Sequence, residues 1–270
     1  MLAPFISGMM PTPATASALR SLTAALPATD VLLCGPSASG RSSLALHFAL
    51  YHAARSMLPA MFLCRQEALE QAVPMLPYNC SGDDPSLHLL HIKYLVNHVD
   101  LQRFAACLHL LRGAYSAIVV EDLAGLVRTD DRNALVRTVA MLVEGVRSYR
   151  AAGVGGSRCA LLVTDSSDEA RRPRYIHDRW FPATLVLAPD SLQGGHEGSY
   201  TISAVAPSCA GQHHGPARAP RGSDAAEAQH QAPSSVQCSY RAADGHLVLE
   251  ALHGLGPAPP DGAGGPVAWP

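Results

Sequence analysis

A candidate ligand-binding loop begins after position 31. The apolar run Val31-Leu32-Leu33-Cys34 ends at Gly35, Pro36-Ser37-Ala38-Ser39 follow, and then come Gly40, Arg41, Ser42 and Ser43 ahead of a helical apolar pattern. Two glycines separated by four residues, then a cation and a hydroxyl, match the P-loop G-x-x-x-x-G-K-[ST] with arginine in place of lysine. The chemistry explains the spacing. A loop around a triphosphate must bring backbone N–H groups close to phosphate oxygens, and Gly35 and Gly40 permit the dihedrals and the approach. The helix opening at Arg41 turns its positive end toward the anion. Gly35, Pro36, Ser37, Ala38, Ser39, Gly40, Arg41, Ser42 and Ser43 are thus the candidate ATP-binding set, with the Ser42 hydroxyl on Mg²⁺ and Arg41 against the β- and γ-phosphates. A guanidinium is planar and larger than an ammonium, so nucleotide binding is expected to survive the substitution better than hydrolysis.

A second cluster closes the run Ile118-Val119-Val120: Glu121 and Asp122. A P-loop NTPase needs an acid at the carboxyl end of a neighbouring strand for the Mg²⁺ shell. Glu121 is the better placed as metal-shell and catalytic carboxylate, and Asp122 is the alternative. Glu67, in Arg65-Gln66-Glu67, is the candidate general base. Thr164-Asp165-Ser166 is a candidate sensor of the γ-phosphate.

These residues need strands and helices to hold them. Asp30–Cys34, 59–64, 116–121 and 159–164 read as buried strands, with a helix from Arg41 to about Met57 and a short polar helix over 66–72. Residues 87–96 add a further strand. Asp100 is expected to cap a helix running to Arg112, and 133–151 reads as a long amphipathic helix. Short apolar strands between long helices imply an α/β fold with a mostly parallel sheet and right-handed crossovers. The C-terminal side differs: 183–188 and 199–205 alternate like antiparallel strands, and 236–240 with 246–250 around Asp244-Gly245 read as a closing hairpin. The expected organisation is an arm and short helix over 1–28, a core over 29–206, a disordered insertion over 207–233, the hairpin over 234–252 and a Gly/Pro-rich tail over 253–270.

Composition narrows the class. The 270 residues are 48% hydrophobic with a net charge of −2, so no global basic field favours nucleic acid and any such surface must be local. Seven scattered cysteines without a C-x-x-C point to reduced thiols in a cytosolic or nuclear protein. The first residues lack a basic n-region, so no signal peptide is read, and no apolar run is long enough to span a membrane. His88 and His91 have helical spacing, but no carboxylate or cysteine completes a metal site there.

The segment Ile118-Val119-Val120-Glu121-Asp122-Leu123-Ala124-Gly125-Leu126-Val127-Arg128-Thr129-Asp130 resembles the corresponding segment of RecA-type eukaryotic recombinases, where an apolar strand ends in an acid and leads to an Arg-Thr-Asp loop. The order of long helix, buried strand, loop and antiparallel strands continues the match over about residues 30–250. Phe62-Leu63-Cys64-Arg65 and Arg179-Trp180-Phe181-Pro182-Ala183 are similar to segments of the recombinase-paralogue ATPases that partner a SWIM-domain protein in the Shu complex. The resemblance implies a RecA-like core and a nuclear homologous-recombination accessory factor. It further implies binding of ATP and single-stranded DNA, pairing with a zinc-chelating SWIM-domain protein, and support of recombinase filaments. Two departures stand out: Arg41 replaces the lysine, and Gln66 stands at or beside the place of the family's catalytic glutamate. No Phe-x-x-Ala docking segment occurs, so long self-filaments are not expected.

In the recombinase fold, the loops after the third and fourth strands face DNA. Here they carry Arg128, Arg132, Arg171, Arg172 and Arg174, with Tyr175 and Trp180 interleaved. Arginines neutralise phosphates and an aromatic can stack on an unpaired base. Asp165, Asp168 and Glu169 lie beside them and oppose such contact. Two other functions fit the motif: a pseudo-ATPase scaffold, which Arg41 favours, and a small-molecule kinase with 171–174 as its lid, which the closing hairpin disfavours.

Overall fold

Strand alternation sets the layers. In β2 (Asp30–Gly35), Val31 and Leu33 join one apolar cluster and Leu32 another. β3 (Ala60–Cys64) divides in the same way, Ala60, Phe62 and Cys64 against Met61 and Leu63. So do β5 (Ala117–Val120) and β6 (Ala160–Ser166). A sheet apolar on both faces must be covered on both. α2 (Arg41–Ser56) covers the first face with Leu44, Phe48 and Leu50. α4 (His98–Ala106) and α6 (Arg132–Ala151) cover the second with Leu101, Phe104, Val139, Leu142 and Val146. The structure is a computed structural model and describes residues 2–13, 15–16, 30–111, 113–128, 131–153, 159–166, 174–190, 198–205 and 237–253.

The described strands form one ten-stranded sheet. With β1 (Met10–Pro11), β4 (Leu90–Tyr94), β7 (Ala183–Pro189), β8 (Ser199–Val205), β9 (Gln237–Ala243) and β10 (His246–His253), the order is β1-β10-β9-β8-β7-β2-β6-β5-β3-β4. From β7 to β4 every neighbouring pair is parallel, while β7-β8-β9-β10 is antiparallel. The expected α/β class is therefore present: a mostly parallel mixed sheet with antiparallel strands on the C-terminal side. The β9–β10 hairpin turns at Asp244 and Gly245, with φ of 53° and 76°, the pair of positive values that a two-residue turn of matching twist requires.

Two expectations are corrected. Residues 2–11 are not a loose arm. Leu2, Phe5, Ile6 and Met9 are buried, α1 (Ala3–Ile6) packs Phe5 on Phe48 at 5.2 Å, and β1 pairs with β10. The apolar side chains of this segment complete the core beside α2, and their prolines do not prevent it. The cap of α4 is Asn97, whose Oδ1 accepts from the N–H groups of Val99 (2.9 Å) and Asp100 (3.3 Å). Asp100 instead accepts from Val96 N, and the helix ends at Ala106, a 3₁₀ turn over Leu108–Leu110 following. β7 is antiparallel to β8 but parallel to β2, so it belongs to both halves of the sheet. The helix expected over 14–27 lies almost wholly outside the described residues, and the insertion over 207–233 and the tail from 254 lie outside them entirely. No helix among the described residues is long and apolar enough to cross a membrane.

Candidate functional site

The site forms where the parallel strands end. β2 delivers the loop 36–40, which leads into α2. Gly40 has φ 77° and ψ 11°, left-handed values that a side chain disfavours. A Cβ on Gly35 would lie 2.8 Å from Leu187 Cδ1 and 2.9 Å from its Cβ, so β7 presses on the loop's first glycine. Ser39 is buried, and its Oγ donates to the Pro36 carbonyl (2.9 Å). The hydroxyl of Tyr240, from β9, donates to the Ser39 carbonyl (2.5 Å). The antiparallel strands thus hold the loop from one side. Ser37 and Ala38 are exposed at its tip. Ser43 faces inward, where its Oγ accepts from Met75 N (3.0 Å).

Arg41 does not extend into solvent. Its Nη1 donates to the carbonyls of Gly35 (2.7 Å) and Asp165 (2.9 Å), and its Nη2 to Asp122 Oδ1 (3.2 Å). The arginine therefore ties together the ends of β2, β5 and β6. Ser42 Oγ donates to Glu121 Oε1 (2.6 Å). Glu121 is buried, and this desolvation pushes its carboxyl above the ordinary value, against the Ser42 hydrogen bond. Asp122 has φ 55°, precedes the short helix α5 (Leu123–Leu126), and its N–H donates to Thr164 Oγ1 (2.8 Å). Asp165 is fully buried. Its Oδ1 accepts from Ser166 N (2.9 Å), and its Oδ2 lies 3.1 Å from His177 Nε2 in α7 (Arg174–Asp178).

The structure thus gathers Gly35–Ser43, Glu121, Asp122, Thr164 and Asp165 into one place, although they span nearly half of the chain. It does not bring every expected residue there. Glu67 lies in α3 (Gln66–Gln71), exposed, and makes no hydrogen bond or ion pair among the described residues. Arg128 and Arg132 are exposed on either side of residues 129–130, and Arg132 opens α6 behind the Asp131 cap. Arg171 and Arg172 lie outside the described residues, as does the side chain of Arg174.

Two members of the site were not expected. Arg65, just after β3, donates from Nη2 to Asp122 Oδ2 (3.1 Å). The signal for it was present: a charged residue directly after a buried strand, the same position Glu121 takes after β5. Tyr240 carried no such signal, because its role depends on where the hairpin joins the sheet.

Among the described residues, no group of three or more His, Cys, Asp and Glu could hold a metal ion. A P-loop Mg²⁺ does not need one, since it takes a hydroxyl and retains waters and phosphate oxygens. The adjacent oxygens of Ser42 and Glu121 fit that requirement. Among known proteins, no family model and no curated protein matches this chain.

Proposed function

We propose that this chain is a RecA-like, ATP-binding subunit of a nuclear homologous-recombination complex. In this reading it pairs with a SWIM-domain zinc protein, binds single-stranded DNA and supports recombinase filaments. The observation that carries the nucleotide reading is the convergence of a left-handed Gly40, the Ser42–Glu121 pair and the Arg41–Asp122 pair at the ends of neighbouring parallel strands. Such strand ends are where open α/β sheets bind ligands. The recombination reading rests on the resemblance of 118–130 and 179–183 to recombinase paralogues.

The residues divide the work. Backbone N–H groups of the loop and the first turn of α2 bind phosphates. Ser42 and Glu121 would hold Mg²⁺, which when bound offsets phosphate charge, with Asp122 outside them. Glu121, buried and held by Ser42, orients the polar side of the site. A scaffold that binds ATP without turnover is the second reading. It is favoured by Arg41, whose two terminal nitrogens are engaged by Gly35, Asp165 and Asp122, and by the exposed position of Glu67 in α3.

DNA binding must be focused, because the net charge is −2. Arg171, Arg172 and Arg174 are its proposed centre, with Arg128 and Arg132 beside them. Each phosphate contact adds about 0.7 to the salt slope for a single strand. Replacing the three loop arginines by alanine should weaken binding and flatten the slope by up to about two, with ATP binding kept. Fluorescence anisotropy of a labelled oligonucleotide across a salt series, on the chain alone and with its co-purified partner, reads this directly. Unchanged affinity and slope in both would remove these arginines from the DNA surface.

A further inference from the structure

Asp122 holds two guanidinium groups at once. Oδ1 accepts from Arg41 Nη2 at 3.2 Å and Oδ2 from Arg65 Nη2 at 3.1 Å. The trio has one more cation than anion. Glu121, the other acid beside it, is buried and accepts from Ser42. Among the described residues, neither arginine has a hydrogen-bond partner for its buried Nε. A buried donor without a partner is costly and is ordinarily matched by an acceptor. The two arginines differ in access: 14% of the Arg41 side chain is exposed and 33% of Arg65. Arg41 is the deeper cation and Arg65 the rim. The rim position is built, because a Cβ on Gly125 would come within 2.6 Å of Arg65 Nε and against Asp122 Oδ2. Only a residue without a side chain leaves the guanidinium where it lies.

We propose that Arg65 is a phosphate ligand that contacts the terminal phosphate of a bound nucleoside triphosphate. The proposal rests on the P-loop reading and adds to it a residue that tells tri- from diphosphate. A guanidinium bridges a carboxylate and a phosphate with the same planar fork, so Arg65 can keep Asp122 on one edge while its other donors meet phosphate oxygens.

The test is calorimetric titration with ATP and with ADP in Mg²⁺ buffer, on wild type, Arg65→Ala, Asp122→Asn and the double variant. Removing a charge-assisted contact should weaken ATP about tenfold and leave ADP within about twofold. The same ATP-specific loss should appear when Arg65→Ala is made on Asp122→Asn. Melting without nucleotide confirms that each variant is folded, and Arg65→Lys should recover part of the ATP affinity as a second check. Equal weakening of ATP and ADP would overturn the proposal. So would a loss that vanishes in the Asp122→Asn background, because Arg65 would then act only by neutralising that carboxylate. Wild type binding neither nucleotide would instead remove the P-loop reading itself.

Discussion

Arg41 stands where the loop motif has lysine, and its three hydrogen bonds explain how the larger cation is accommodated. It reaches past the loop to two carbonyls and a carboxylate, joining three strand ends. Lysine has one nitrogen and cannot span all three acceptors. Arg41→Lys should therefore lower folding stability, by about 1–3 kcal/mol in chemical denaturation. The compact ammonium should also sit better against phosphate and raise ATP turnover at saturating nucleotide. Unaltered stability would mean that the three contacts contribute little, and a fall or no change in turnover would contradict the account of the substitution. The strand–loop–helix at 30–56 was legible because its pattern is local. The destination of Arg41 was not, since Asp122 and Asp165 reach it only through the pairing of β5 and β6 with their neighbours.

α2, the helix that follows the loop, carries a buried histidine, His47, and a half-buried one, His52. His47 and His52 each have a pKa pushed down from 6.5 to about 4, both by burial, with Arg55 adding to the effect at His52. Between those values the unfolded chain takes up protons that the folded chain refuses. Stability present above pH 6.5 is thus lost as pH falls toward 4, by up to about 3 kcal/mol for each histidine. His47→Leu should shift acid unfolding to lower pH while changing stability at pH 8 less, as read by denaturation across the pH range. An acid midpoint at or above that of wild type would contradict this. At the same scale the strands and long helices were legible from alternation and 3.6-residue spacing. The N-terminal segment was misread as an arm because what it packs on is set by the tertiary fold: Leu2, Phe5, Ile6 and Met9 have a core to fill. The placement of β7 beside β2 was hidden because strand order is a property of the whole sheet, and its Leu187 then limits Gly35.

Across the whole molecule, the sheet order makes the site. β2 lies between β6 and β7, so the loop receives Asp165 from one side and Leu187 from the other, while Tyr240 of β9 reaches the Ser39 carbonyl. Residues from 35 to 240 meet because ten strands share one sheet, and a local motif could reveal only the first of them. The central claim is that this assembly binds nucleotide through the loop 35–43. The direct measurement is equilibrium binding of Mg-ATP to wild type and to Gly40→Val, with melting to confirm that both are folded. Gly40 has a positive φ, and a Cβ there would lie 3.2 Å from Leu247 Cδ2, so valine both strains the turn and presses the loop away from β10. The account predicts saturable binding by wild type and none by the folded variant. Equal binding by the two, or no binding by wild type, would contradict it.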